Sequence, residues 1–455
     1  MQLTFYGATE QVTGSCFLLQ TSKAKILIDC GAVQGEQACA TTNLDDFPFE
    51  AASITVALVT HAHFDHTGRL PKLVRDGFNG IIYATTPTKS LAHIVLEDSL
   101  SVMRDQAAKC GHGVPFEEAD VVVCMAHMKG VSYGEQVEIA PGVVAMFHDA
   151  GHILGSSYIT LSVDGSETAS GKPERIVFSG DLGNDNTPIL PDTEPLDHAD
   201  VLICEATYGD KVHDDMVTRG DKLATVVNSV IGRGGTLMIP AFSIERTQEL
   251  LYELDILLGD KKIPEVPIYL DSPLAIRATE IYRDCKSYLV FDHPASNDGD
   301  FFAFPNLHET LTQQESQAIN LDHRPKIIIA GNGMMSGGRI LHHMLRYLSE
   351  EKSGLLIVGY QAAYTLGRQI QDGAKVVEIF HDKVTVHATI FNIEAFSAHG
   401  DRTKLTKFIY PLHGAVPKIF LTHGENDIKQ RFADYLKTQG ITDVTIPRLN
   451  QMFEL

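Results

Sequence analysis

The stretch "THAHFDHTG", Thr60 to Gly68, sets three histidines and an aspartate within the six residues His61 to His66, just after the β-branched run "ITVALVT". A surface loop gains nothing from so many imidazoles, and a core penalises each one that lacks a hydrogen-bond partner. A bound cation removes both objections, because neutral imidazole and carboxylate are ordinary ligands of zinc and its neighbours. Along an extended strand end His61 and His63 share a face, since side chains alternate with period two. Asp65 and His66 fall beyond the strand, in the turn announced by Thr67 and Gly68. The stretch therefore offers two pairs of donors, His61 with His63 for one ion and Asp65 with His66 for a second.

Two ions need more than four donors, so further histidines and carboxylates are expected at other strand ends. "DAGHILGSS" sets His152 in a glycine-flanked turn, and "FSGDLGN" sets Asp181 directly after a β-rich run. "FLTHGE" places His423 in the same context, and "ILIDCG" adds Asp29. Each of these alone reads most simply as a turn residue or a structural ion pair. Their occurrence together with the first cluster is what points to metal.

The elements that must hold these residues are legible as a class. Residues 1 to 207 are dominated by short apolar runs such as "KILIDCGA", "ITVALVT", "YITLSV", "RIVFSGD" and "VLICEATYG", each of strand length and bounded by glycine or polar turns. Helical periodicity appears between two groups of strands, in "TKSLAHIVLEDSLSVMRDQAA". From 208 to about 395, helices and buried strands alternate ("DKLATVVNSVIGR", "GTLMIPAF", "IERTQELLYELDILLG", "KIIIAGN", "RILHHMLRYLSE", "GLLIVGY"), the pattern of a parallel sheet. The fold class is α/β. The segment "DHPASNDGD", 292 to 300, is expected to be disordered.

A chain of 455 residues, 44% apolar and 21% charged, has the composition of a soluble globular protein with length for more than one domain. The N-terminus has no basic region followed by an apolar run, and no eighteen apolar residues follow one another, so neither a signal peptide nor a membrane span is expected and the compartment reads as cytoplasmic. Seven scattered cysteines without a C-x-x-C pair read as reduced, mostly buried small hydrophobes. The formal net charge of -21, from 37 basic and 58 acidic side chains, opposes a polyanionic partner except where a groove and bound metal ions reverse the local field. Residues 208 to 395, with 18 basic and 25 acidic side chains, are less acidic than the rest but not basic.

The motif "HAHFDH", taken with Asp29, His152 and Asp181, resembles the metallo-β-lactamase signature, H-x-H-x-D-H followed by a distant histidine and aspartate. "CEATYGD" resembles motif A of the β-CASP branch of that superfamily, "FSAHGD" motif B and "LTHGE" motif C, all in the expected order. "IPAFSIERTQELL", "LDSPLA", "GNGMMSGGRI" and "GYQAAYTLGR" are also similar to β-CASP sequence. The resemblance covers nearly the whole chain, and among family members it is nearest to the minimal bacterial and archaeal relatives of the polyadenylation-factor endonuclease.

That resemblance implies an αββα metallo-β-lactamase sandwich, residues 1–207 and 396–455, with an inserted β-CASP cap domain, 208–395, containing a mainly parallel sheet. It implies two zinc ions, one on His61, His63 and His152, the other on Asp65, His66 and His423, with Asp181 bridging and Asp29 orienting ligands from behind. Manganese or iron suits the same nitrogen and oxygen donors. The implied activity is that of a ribonuclease in which a hydroxide shared by the metals attacks the phosphodiester beside Asp65. His399 of motif B is then the general acid for the leaving 3′ oxygen, and Glu205 of motif A its partner, giving 5′-phosphate and 3′-hydroxyl ends. A histidine in motif C marks the RNA-processing members of the family, so single-stranded RNA is the expected partner. The glycine-rich turn before a helix, with Ser336, Gly337, Gly338 and Arg339, is suited to presenting backbone N–H groups to phosphate, and Arg246 and Arg368 look like groove-facing family arginines. A DNA nuclease, a small-molecule metallohydrolase of the same fold and a non-catalytic scaffold are the competing readings. Endonucleolytic and 5′-exonucleolytic action are equally compatible with the residues, as is a homodimer.

Overall fold

The computed structural model describes residues 1–34, 39–213, 218–291, 300–359, 361, 364–411 and 413–455. Of the segment expected to be disordered, 292–299 lie outside the described residues. The chain divides into two compact units: Met1–Asp185, Pro191–Val212 and His399–Leu455 form the first, Asn186–Leu190 and His213–Ala398 the second.

The first unit is built on two seven-stranded sheets. One runs in the spatial order Gln451–Glu454, Gln2–Phe5, Phe17–Gln20, Lys25–Ile28, Val56–Leu58, Ile81–Thr85, Met128–Val131. The other runs Val444–Thr445, Lys418–Thr422, Val201–Glu205, Glu174–Phe178, Ser157–Val163, Val143–Asp149, Gln136–Ala140. Alternation decides which side chains meet between them. In Val143–Asp149 the residues Val143, Ala145 and Phe147 point inward, and with Ile159, Leu161, Phe178 and Phe420 they pack against Leu3, Phe5, Phe17, Ile26 and Ile28 of the first sheet. The other face of the second sheet, with Val177, Leu202, Cys204 and Leu421, is covered by Leu405, Phe408, Phe432 and Leu436 of the helices Arg402–Ile409 and Asn426–Thr438.

The first sheet is covered by helices that include Thr86–Cys110, so the layers run helix, sheet, sheet, helix. That long helix is delimited by its own sequence. The Thr85 hydroxyl accepts the Thr88 N–H, Pro87 occupies the first turn where no N–H partner is needed, and Gly111 ends the helix at φ +74°.

The second unit holds a six-stranded sheet in the order Leu307–Glu309, Ile268–Asp271, Lys326–Ala330, Thr236–Pro240, Gly354–Ile357, Thr389–Asn392, and every pairing in it is parallel. Parallel neighbours require long crossovers, which the helices Arg246–Gly259, Pro273–Asp284 and Ile340–Tyr347 help to supply. A separate two-stranded hairpin, Val376–Ile379 with Asp382–Thr385, joins the core through Val377, Ile379 and Val384.

The cysteines depart from expectation at one pair. Cys16, Cys30, Cys124 and Cys204 are free and buried, but Cys39 and Cys110 form a disulfide across 71 residues of sequence. Folding brings their Cα atoms to 5.3 Å, within the range a disulfide spans, which no local spacing announces. Among the described residues no helix is long and apolar enough to cross a membrane.

Candidate metal centre

The donors foreseen from sequence converge inside the first unit. His61 and His63 follow strand Val56–Leu58, Asp65 and His66 lie on the short helix Phe64–Thr67, His152 follows Val143–Asp149, Asp181 follows Glu174–Phe178, and His423 follows Lys418–Thr422. Each is carried at the end of an element whose other residues are core. Gly31 allows the close approach on which this depends, because a Cβ there would fall 1.6 Å from the Asp65 carbonyl oxygen.

The donor atoms form two groups that share one carboxylate. In the first, His61 Nε2 lies 3.0 Å from His63 Nδ1, and His63 Nδ1 lies 3.3 Å from His152 Nε2. Asp181 Oδ2 stands 3.5 Å from His61 Nε2 and 3.6 Å from His152 Nε2. In the second group His66 Nε2, His423 Nε2 and Asp65 Oδ2 are separated by 3.3 to 4.0 Å, and Asp181 Oδ1 lies 3.3 Å from His66 Nε2. Donors about 2.0–2.1 Å from one tetrahedral ion stand roughly 3.3 Å apart, so both groups have the dimensions of a ligand set. Asp181 Oδ1 is buried without a hydrogen-bond donor, the condition of a carboxylate oxygen whose partner is a cation.

Electrostatics agrees with this chemistry. Burial, reinforced by the neighbouring His66, holds His61 well below the usual imidazole range, and burial lowers His63 to about 4, so both present lone pairs. Burial alone would lower His66 too, but the carboxylates of Asp181 and Asp29 raise it well above its ordinary value. Asp181 is held far down despite its burial, by His423 and His66. The cluster therefore favours positive charge at its second group.

Asp29 sits behind the donors. Its Oδ2 is 2.8 Å from His66 Nδ1, which turns Nε2 toward the centre, and it accepts from the Thr60 N–H and hydroxyl at 2.8 and 2.9 Å. Beside the centre, the His399 ring lies 4.6 Å from that of His152, with Nε2 4.0 Å from Asp181 Oδ2 and Nδ1 3.2 Å from Glu205 Oε1. Burial would lower His399, but the Glu205 carboxylate overrides it and the ring is raised to about 9. Glu205 is itself fixed by N–H groups of Leu182 and Thr207, at 2.7 and 3.2 Å.

Several supporting residues escaped the sequence reading. Thr60 contacts Asp29, His61 and His66 through one hydroxyl, Ser15 Oγ lies 3.4 Å from His66 Nε2, and the Thr207 hydroxyl is 3.2 Å from His423 Nδ1. Lys429 is buried, lowered to about 8 by that burial, and donates to the carbonyl of Thr9, next to Ala8 whose carbonyl accepts the His423 N–H at 2.7 Å. Thr60 and Thr207 lie inside "THAHFDHTG" and "CEATYGD", which is the signal that could have found them; nothing local marks Lys429.

The residues foreseen at RNA lie in the second unit and behave unequally. Ser336 and Gly338 are exposed, and Gly338 adopts φ +76°. Arg339 is turned inward: its guanidinium donates to Asp271 Oδ1 at 2.7 Å and to the carbonyls of Thr310 and Leu311, each at 2.8 Å. Arg246 is 3% exposed, ion-paired with Glu249 and set over the Phe396 ring at 5.9 Å, so its charge is used within the fold. Arg368 is exposed and pairs with Asp372 at 3.0 Å. Asp271, also unforeseen, is fully buried and meets His343 Nε2 at 2.7 Å.

Comparison with known proteins places this geometry. Residues 9–215 match the metallo-beta-lactamase superfamily, 247–370 the Beta-Casp domain, and 383–447 the Zn-dependent metallo-hydrolase RNA specificity domain. The chain is 33% identical to "Ribonuclease TTHA0252" of Thermus thermophilus, over 99% of each protein. It is 31% identical to an "RNase J-like protein" of Methanocaldococcus jannaschii, over 95% of this chain and 94% of that one. To "Transcription termination factor FttA" of the same organism it is 31% identical, over 96% of this chain and 69% of the relative. A crystal structure of a protein of unknown function from Enterococcus faecalis shares the fold, with TM-score 0.54 at 12% identity, covering 100% of this chain and 99% of that one.

Proposed function

Since the chain belongs to the β-CASP branch of the metallo-β-lactamase superfamily, we propose that it is a zinc-dependent ribonuclease that uses two metal ions to hydrolyse phosphodiester bonds in single-stranded RNA. The observation that carries the reading is Asp181, whose two oxygens face separate donor groups while a Glu205-paired histidine stands at the edge of the first. His61, His63 and His152 would hold one ion, Asp65, His66 and His423 the other, and Asp181 both. Ions bound there supply Lewis acidity and a water of lowered pKa for in-line displacement at phosphorus.

The chain's own groups do the rest. Asp29 and Thr60 fix the tautomers of His66 and His61 by occupying Nδ1. The Glu205 carboxylate favours the charged form of His399, and with Nδ1 engaged by Glu205 its Nε2 is the atom left to protonate a leaving 3′ oxygen. The products are a 5′-phosphate and a 3′-hydroxyl. The turn that exposes Ser336 and Gly338, with Gly337 between them, suits phosphate, and Arg368 is the most exposed of the three arginines, whereas Arg339 and Arg246 are engaged within the fold by Asp271 and Glu249. RNA, not DNA, is supported by the matched RNA specificity domain and by the names of the relatives.

The test compares cleavage of an end-labelled single-stranded RNA with that of its DNA counterpart, by metal-loaded wild type and His399→Ala. RNA cleavage lost in the variant, with DNA spared, is expected. Absence of RNA cleavage by a protein shown by elemental analysis to hold two metals would sink the reading in favour of another substrate or a scaffold.

A further inference from the structure

The tip of the hairpin Val376–Ile379/Asp382–Thr385 is built from residues that its backbone disfavours. Ile379 pairs with Asp382, so the loop is the two residues Phe380 and His381, at φ +52° and +71°. Two positive φ values in a two-residue loop are the pattern of a type I′ turn, which favours Asn-Gly because larger side chains crowd the backbone there. Here an aromatic side chain and a histidine occupy both positions, and the histidine reaches back only to Glu378, at 3.5 Å, among the described ion pairs. The hairpin is anchored by Val377, Ile379 and Val384 on its core face, whereas Phe380 is 50% exposed and the His381 side chain 99% exposed. Strained bulky residues of this kind point to a use outside the fold.

The neighbourhood suggests which use. The Phe380 ring lies 4.7 Å from the exposed ring of His342, inclined by 35°, so two aromatic rings meet at this surface. His342 lies in the first turn of the helix Ile340–Tyr347, its N–H bonded to the Arg339 carbonyl at 3.1 Å, and that helix is opened by the glycine-rich turn already read as a phosphate contact. Nucleobases stack on exposed aromatic faces beside a backbone-binding loop, and stacking needs no positive charge. In a chain whose net charge of -21 opposes phosphate, stacking adds affinity that does not depend on positive charge.

We infer that Phe380, His381 and His342 form a base-stacking subsite for single-stranded RNA, one that binds unpaired bases irrespective of their sequence. The inference rests on the RNA reading above, and its failure is separable from the failure of that reading. The substitution Phe380→Asn with His381→Gly gives the turn its preferred residues while removing the rings. Phe380→Leu keeps bulk and removes only aromaticity. Both are measured in a metal-loaded His399→Ala background, which prevents cutting, by fluorescence anisotropy with a labelled single-stranded oligoadenylate and with an abasic ribose-phosphate strand of equal length.

Both variants should bind oligoadenylate about fivefold or more weakly, the lower end of what one base–aromatic stack contributes. Binding of the abasic strand should not change, and the melting temperature of the Asn-Gly variant should equal or exceed the parent's. Unchanged affinity for oligoadenylate, or an equal loss on the abasic strand, overturns the stacking site while leaving the ribonuclease reading intact. A parent protein that binds neither strand overturns both.

Discussion

Asp181 and Asp149 are both desolvated carboxylates of the first unit, and their neighbours alone set them apart. Around Asp181 the imidazoles of His423 and His66 offset burial and hold the carboxyl ionised. Asp149 accepts the Gly151 N–H at 2.8 Å, but burial, with a smaller push from the Glu194 carboxylate, raises it to about 7. A carboxyl whose folded value is raised keeps a proton that the unfolded chain has released. Its contribution is therefore greatest below about 4, the unfolded value, and is lost as pH rises through about 7. Asp149→Asn, which keeps the acceptor for Gly151 and cannot ionise, should remove that decline. Calorimetric melting temperatures of the metal-loaded proteins should show the variant gaining on wild type between pH 4 and pH 8. A constant difference across that range would mean that Asp149 is ordinarily solvated.

In the second unit the helix Ile340–Tyr347 and the strand Ile268–Asp271 are joined through one buried carboxylate. Asp271 Oδ1 accepts from Arg339 and from the Thr310 hydroxyl at 2.7 Å each, while Oδ2 meets His343 at 2.7 Å and accepts from Ser316 at 2.6 Å. Desolvation opposes the charge, but these four partners hold the carboxyl well below its usual range. Removing one member of a buried network leaves the others desolvated and unpaired, so Asp271→Ala should cost about 3–5 kcal/mol. Urea denaturation of the two proteins measures it, and a cost below about 1 kcal/mol would show that water replaces the carboxylate. The network also accounts for Arg339. A sequence ending in "GGRI" before a helix reads as an anion cradle, yet the acid that captures this arginine lies 68 residues away along the chain.

Seven donor residues from four separate stretches of chain meet at the centre, and the stretch with His423 is separated in sequence from the rest by the whole second unit. Any ion bound there links these stretches in the folded state and has no equivalent site in the unfolded chain. Metal at a thousand times its dissociation constant adds roughly 4 kcal/mol per site, so chelation should lower the melting temperature and zinc should restore it. His423→Ala should reduce both the bound-metal count and the chelator-sensitive part of the shift. A melting temperature indifferent to chelator in a protein with bound metal would place the ions away from His61–His66.

Residue type and short-range periodicity suffice to mark out the strands, the long helix Thr86–Cys110, the parallel character of the second unit and the histidine-rich ends that converge on one centre. These are local properties: donor chemistry belongs to the side chain, and a two-residue repeat places it on a face. The bridging place of Asp181 is implied only by the family resemblance, while the sharing of the Thr60 hydroxyl among Asp29, His61 and His66, the Cys39–Cys110 bond and the inward turn of Arg339 and Arg246 have no local signature. Each depends on which of many chemically suitable partners folding delivers within bonding distance. That choice belongs to the packing of two sheets and their helices, and no stretch of sequence carries it alone.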